Sequence, residues 1–249
     1  MTTARPFLAA ALLCALGAAT LAPTPALAAP APPAPGAPAA PAPTLQERIA
    51  AVKQSFAASQ TLLRTYEWLE TTVVSLKGEE KSRKVNRCYY GAEGKLVKEP
   101  VAATPEPKAP RGLRGKIVEK KKEELADYME EAAALVHKYL PPDPARIQAS
   151  TAAGNAAIQI LEPEKRAQLD FREYLQPGDV LSAQIDLTNN TILGVSVSSA
   201  LSSKDPVTLV VRFDKFPDGT IYTAETKLEA KAKNVTVNVT NSGYKKTGP

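Results

Sequence analysis

Apolar residues follow two different rhythms along this chain, and the change from one to the other marks out its elements. Leu45, Ile49, Val52, Phe56 and Leu63 recur at spacings of four, three, four and seven, which is one face of a helix. Thr44-Leu45-Gln46-Glu47 sets a hydroxyl three residues ahead of a glutamate, so a capped helix is expected to begin at Thr44. After Arg64 the rhythm shortens. Tyr66, Trp68, Thr71, Thr72, Val73 and Val74 are strand formers. Lys77-Gly78-Glu79 then turns the chain into a second strand ending near Tyr89 and Tyr90, and Gly91-Ala92-Glu93-Gly94 turns it again before a third strand at 95–97.

Proline and glycine interrupt residues 99–115, after which 116–140 reads as the longest helix. Its apolar face carries Leu125, Tyr128, Met129, Ala132, Leu135, Val136, Tyr139 and Leu140, with lysine and glutamate opposite. Pro141 and Pro142 stop it, Asp143-Pro144 opens a short second helix, and Gly154 can end that one. From there the period is two. Leu181, Ala183, Ile185 and Leu187 form one apolar row, Leu193, Val195 and Val197 a second, Val207, Leu209, Val211 and Phe213 a third, and Val235, Val237 and Val239 a fourth. Such alternation belongs to antiparallel strands with one dry and one wet face. Thr188-Asn189-Asn190-Thr191 and Phe216-Pro217-Asp218-Gly219 supply hairpin turns. The expected fold is α+β: a strongly curved antiparallel sheet of seven to ten strands, a half-barrel, covered on its concave face by amphipathic helices.

The first residues change where this fold is expected to work. Arg5, a soft apolar run over 7–22 and the small residues Ala26-Leu27-Ala28 have the three-part layout of a cleaved secretory signal, with the cut after Ala28. The run falls short of the roughly 20 residues that span a bilayer. Residues 29–43 are mostly proline and alanine and read as an extended spacer. The expected organisation is thus a signal (1–28), a spacer (29–43) and one domain (44–249) with a helical insertion at about 116–153. Periplasmic or secreted placement follows. Cys14 leaves with the signal, so Cys88 is the only cysteine of the mature chain and no internal disulfide can form.

A formal charge of +5 is spread among acids rather than gathered into a basic stripe with interleaved aromatics, which argues against nucleic acid as a partner. His137 is the only histidine, and it has neither a nucleophile turn beside it nor a second imidazole to share a metal with. Phosphate-cradling glycine motifs are missing too. No catalytic residue, metal ligand or cofactor is assigned, and the chain is not expected to be an enzyme. Glu67, Glu70, Glu162, Asp179, Asp186 and Glu225 remain as carboxylates that could meet in space.

The order of a signal, an amphipathic helix, a strand bearing Tyr66-Glu67-Trp68, a helical insertion and a run of amphipathic strands resembles the periplasmic lipoprotein-carrier superfamily, the LolA-like and LolB-like proteins. The nearest local likeness is at the end, where Phe216-Pro217-Asp218-Gly219-Thr220 opens a hairpin that closes through 235–239 and Asn241-Ser242-Gly243-Tyr244. The resemblance implies an incurved half-barrel closed by helices, with acyl chains held between them. The expected function is binding of an apolar ligand, a lipid, lipoprotein or lipidated peptide, by a monomer. Tyr66 and Trp68 on the first strand and Leu125 and Met129 on the long helix are the candidate ligand contacts. The alternative is an envelope scaffold whose apolar face is filled by its own helices and whose surface contacts an envelope protein.

Overall fold

The computed structural model describes residues 45–102, 113–203 and 205–247. The expected signal and spacer, and the capping residue Thr44, lie outside them. Helix α1 (Leu45–Leu63) leads into strands β1 (Tyr66–Leu76), β2 (Glu79–Tyr90) and β3 (Leu96–Ala102). Helices α2 (Leu113–His137) and α3 (Pro144–Ala152) follow, then β4 (Ala156–Glu162), β5 (Arg166–Arg172), β6 (Val180–Asp186), β7 (Thr191–Ser202), β8 (Asp205–Lys215), β9 (Ile221–Ala230) and β10 (Val235–Lys246).

All ten strands form one antiparallel sheet in the order β3-β2-β1-β10-β9-β8-β7-β6-β5-β4. Each of β4 to β10 pairs with its neighbour in sequence, and β10 then pairs with β1, so that the N-terminal meander extends the C-terminal one. β3 and β4 are left as edges, and the sheet is open. Seven of the nine ladders contain a register shift, and each such irregularity bends its strand and adds twist. The expected half-barrel of α+β class is the fold observed.

The helices share one side of the sheet. Val52 of α1 and Tyr128, Met129, Ala132, Leu135 and Val136 of α2 join Val195, Val197, Val207, Leu209, Val211, Leu228, Val235 and Val237 in a single buried cluster. The alternation read from sequence decides which strand residues point there. On β10, Val235 and Val237 are buried and Val239 is half-buried against the cluster. Thr236 and Asn238 point to the opposite side and are half-exposed.

α2 ends earlier than the apolar stripe suggests. Lys138 and Tyr139 donate to the carbonyls three residues back, those of Leu135 and Val136, so the last turn tightens after His137. Leu140 precedes Pro141, and a residue before proline is held out of the helical region. Asp143 caps α3 by accepting from the Ala145 amide at 2.9 Å.

Candidate functional site

β1 sets the geometry at one end of the core-facing side. Its alternation puts Tyr66, Trp68, Glu70, Thr72, Val74 and Leu76 on one face, and the first four of these are buried. Val74 and Leu76 pack against the main cluster, whereas Tyr66 and Trp68 meet other aromatics. Tyr66 stacks on Phe216 with ring centroids 5.0 Å apart, and Phe216 stacks on Tyr222 at 4.3 Å. Trp68 stacks on Tyr244 at 5.5 Å and touches Tyr90 at 6.0 Å. The Trp68 indole N–H donates to Asn241 Oδ1 at 3.2 Å.

The group gathers where two strands part. The ladder between β9 and β10 ends at Thr240 opposite Glu225, although β10 runs on beside β1 to Lys246 and β9 begins at Ile221. Side chains take over the lost ladder bonds. Asn241 Nδ2 and Tyr244 Oη both donate to the Thr223 carbonyl, at 3.0 and 3.3 Å, and the Ile221 amide donates to Ser59 Oγ of α1 at 2.9 Å. Satisfying buried backbone groups in this way lets the sheet open locally at little cost. Tyr66 Oη donates to Asp218 at 3.3 Å, and Lys246 lies 3.5 Å from the same carboxylate. The Thr220 amide, above all, holds the Asp218 carboxyl below its usual range.

α2 brings the other two candidates to the middle of the same side. Met129 is buried in the main cluster, and Leu125, one helical turn earlier, is half-buried against it. Two tyrosines fasten this helix. Tyr128 Oη donates to Asp205 at 2.6 Å, and Tyr139 Oη donates to the carboxylate of Asp179 and lies 2.8 Å from Ser199 Oγ. Burial first, and the neighbouring carboxylate second, push both phenols well above the ordinary tyrosine value. Asp179 also accepts from the amides of Tyr174, Leu175 and Gln176 at 2.7, 3.0 and 2.9 Å, so the turn between β5 and β6 is built around it. α1 is fastened by Arg48, which donates to the Leu187 carbonyl at 2.8 Å, and by Phe56, edge-on to Phe213 at 5.3 Å.

The four sequence candidates therefore stand on one side of the sheet but in two groups, Leu125 and Met129 in the main cluster and Tyr66 and Trp68 in the aromatic group at its end. Part of the apolar lining on this side is incompletely covered. Val74 on β1, Val239 on β10, Phe213 on β8 and Ile192 on β7 all pack on the cluster and all remain half-exposed.

The carboxylates considered from sequence are each engaged. Glu67 meets Arg87, Glu162 meets Lys165 and Arg166, and Glu225 lies 3.8 Å from Arg212. Asp186 accepts from Asn189 and from the Thr188 amide. Glu70, which is buried, takes both hydrogen bonds of Lys98 at 2.8 and 2.7 Å. His137 is exposed at the end of α2. Among the described residues no three of His, Cys, Asp and Glu gather as a metal set. The sequence reading missed Tyr90 and Tyr244 as partners of Trp68, and Phe216 and Tyr222 as the rings that join Tyr244 to Tyr66. Only the turn at 216–219, which returns β9 beside β8, hinted at part of that group.

No family model matches the chain, and no curated protein matches it. Among solved structures it is similar to a DUF1329 family protein from Desulfovibrio piger ATCC 29098, with 8% identity, a TM-score of 0.33 and coverage of 78% of this chain and 92% of the other. It is similar also to a LolA superfamily protein from Nitrosomonas europaea, with 9% identity, a TM-score of 0.35 and coverage of 80% and 94%.

Proposed function

We propose that this protein binds an apolar ligand, a lipid acyl chain or a lipidated peptide, between the core-facing side of the sheet and helices α1 and α2, and that it does so in the cell envelope without transforming the ligand. One observation carries the reading: Val74, Val239, Phe213 and Ile192 face the helices yet stay half-exposed. A roof that served only to fill the core would bury that row. Left wet, it is the surface an aliphatic chain would cover, at about 0.8 kcal/mol per methylene before ordering and association costs are subtracted. Leu125 and Met129 would touch the chain from α2. Tyr66 and Trp68 would close the end of the site through the aromatic group. The export signal read at 1–28 supports the envelope as the place of action.

Mass spectrometry of organic extracts from gently purified protein tests this directly. A copurified lipid is the expected result. Palmitate, titrated below its aggregation threshold, should raise the melting temperature and shift Trp68 emission, and Ile192→Gln should weaken both responses. Clean extracts, an unmoved melting temperature and no heat in calorimetry would leave the scaffold reading in its place.

A further inference from the structure

The two edges of the sheet are protected very differently. β3 carries Lys98, Glu99 and Pro100, the charges and proline with which edge strands avoid pairing with other chains. β4, AAIQILE, has no charge before its last residue and no proline. Ile158, Ile160 and Leu161 on it are exposed by 48%, 60% and 45%. Ile158 and Ile160 sit opposite Leu169 and Ala167, so both point to the core-facing side, beyond the part that the helices cover.

We infer that β4 pairs with β4 of a second copy of this chain, antiparallel and centred on Gln159, joining two sheets edge to edge. The strand is nearly symmetric about that residue. Ile158 would face Ile160 of the second copy and Ile160 would face its Ile158, giving a four-isoleucine cluster on one side. Gln159 would face Gln159, and Ala157 would face Leu161, on the other. Charge selects this direction. The strand's one charged residue, Glu162, lies past the register shift that follows Ile160 and points to the outer side with Arg166, so antiparallel pairing over 157–161 leaves it outside the paired stretch. Parallel pairing would instead set Glu162 beside Glu162, and like charges directly opposite oppose pairing. A two-fold contact of this kind is self-limiting, since among the described strands it uses up the one edge without proline or interior charge.

Sedimentation and light scattering of the full mature chain test the inference at concentrations up to about 100 µM, where a small interface is populated. A reversible dimer is expected, and Ile160→Lys should raise its dissociation constant at least about tenfold, because a charge would be placed on the paired edge. Gln159→Cys gives a readout independent of stability. Mild oxidation should link it to itself across the two-fold axis, whereas Val101→Cys on the opposite edge should stay monomeric. A chain that is monomeric throughout, a dimer indifferent to Ile160→Lys, a β4 edge found paired with a different polypeptide, or equal cross-linking of the two cysteine variants would each overturn the inference. Fatty-acid binding that persists in the Ile160→Lys monomer would separate this contact from the ligand site.

Discussion

Asp179 is the residue whose removal should be felt most strongly. It is 1% exposed, and its carboxylate accepts from three successive amides and from Tyr139 Oη. In Asp179→Ala the three amides lose their acceptor inside the protein, and Tyr139 Oη keeps only Ser199. A stranded donor costs about 1–3 kcal/mol, and neighbours sharing one acceptor add less than fully, so the loss should be about 3–5 kcal/mol. That corresponds to a fall of roughly 6–20 °C in melting temperature for a domain of this size. Tyr139→Phe removes the bonds to Asp179 and Ser199 and should cost about 1–3 kcal/mol. Urea unfolding of the two single variants and the double variant would give the coupling between the residues, expected to exceed about 0.5 kcal/mol. If Asp179→Ala costs under 1 kcal/mol, the turn between β5 and β6 does not depend on its carboxylate and the reasoning fails.

Three further outcomes follow from the same contacts. Gly194→Ala should destabilise by about 1–3 kcal/mol by overpacking, since a Cβ there would stand 2.9 Å from the Val211 carbonyl in the adjoining strand; thermal melts read this, and an unchanged midpoint would mean that the strands separate easily. Lys98→Met should cost about 3–5 kcal/mol by leaving Glu70 buried without its partner, and adding Glu70→Gln should restore part of the loss; a double variant as unstable as the single would show that the pair is not the cause. From about pH 8 upward, stability should be level to about pH 10 and fall above it. The phenols of Tyr128 and Tyr139 are held above their unfolded value, so the unfolded chain sheds its protons first and gains as pH rises; replacing both with Phe should flatten the decline in melts from pH 8 to 11.

Much of the fold is visible in the alternation of single strands. The rows beginning at Leu181, Val207 and Val235 pick out β6, β8 and β10, because each has one face on the helices and one on water. β4 is harder to read, since an edge strand with Ile158 and Ile160 on one side and Leu161 on the other mixes the two rhythms. Tyr66 and Trp68 fall together by period two, and Leu125 and Met129 by one helical turn, so each pair was legible locally. Their separation into two groups was not. It depends on residues 221–224 of β9 standing apart from β10 beyond the Glu225–Thr240 pair, which is a matter of register between strands. Asp179 shows the same limit: Pro177-Gly178-Asp179 reads as an ordinary turn, and its burial is decided by Tyr139, far earlier in the chain.

The fastenings of the roof bear on how a ligand could share the core. Tyr128 with Asp205, Tyr139 with Asp179, Arg48 with the Leu187 carbonyl and Ser59 with the Ile221 amide all lie at strand ends or in turns. These bonds are directional and fix where α1 and α2 sit. Between them, the contacts of Val52, Leu125 and Met129 with the sheet are aliphatic, and aliphatic contact has no preferred direction and no fixed partner. An acyl chain entering there would exchange one set of such contacts for another while the marginal bonds stayed intact. On the proposed reading, helices held at their rims and greased in the middle would admit a guest without unfolding, and occupancy should first be felt at the half-exposed residues Val74, Val239, Phe213 and Ile192, not at the buried centre of the cluster.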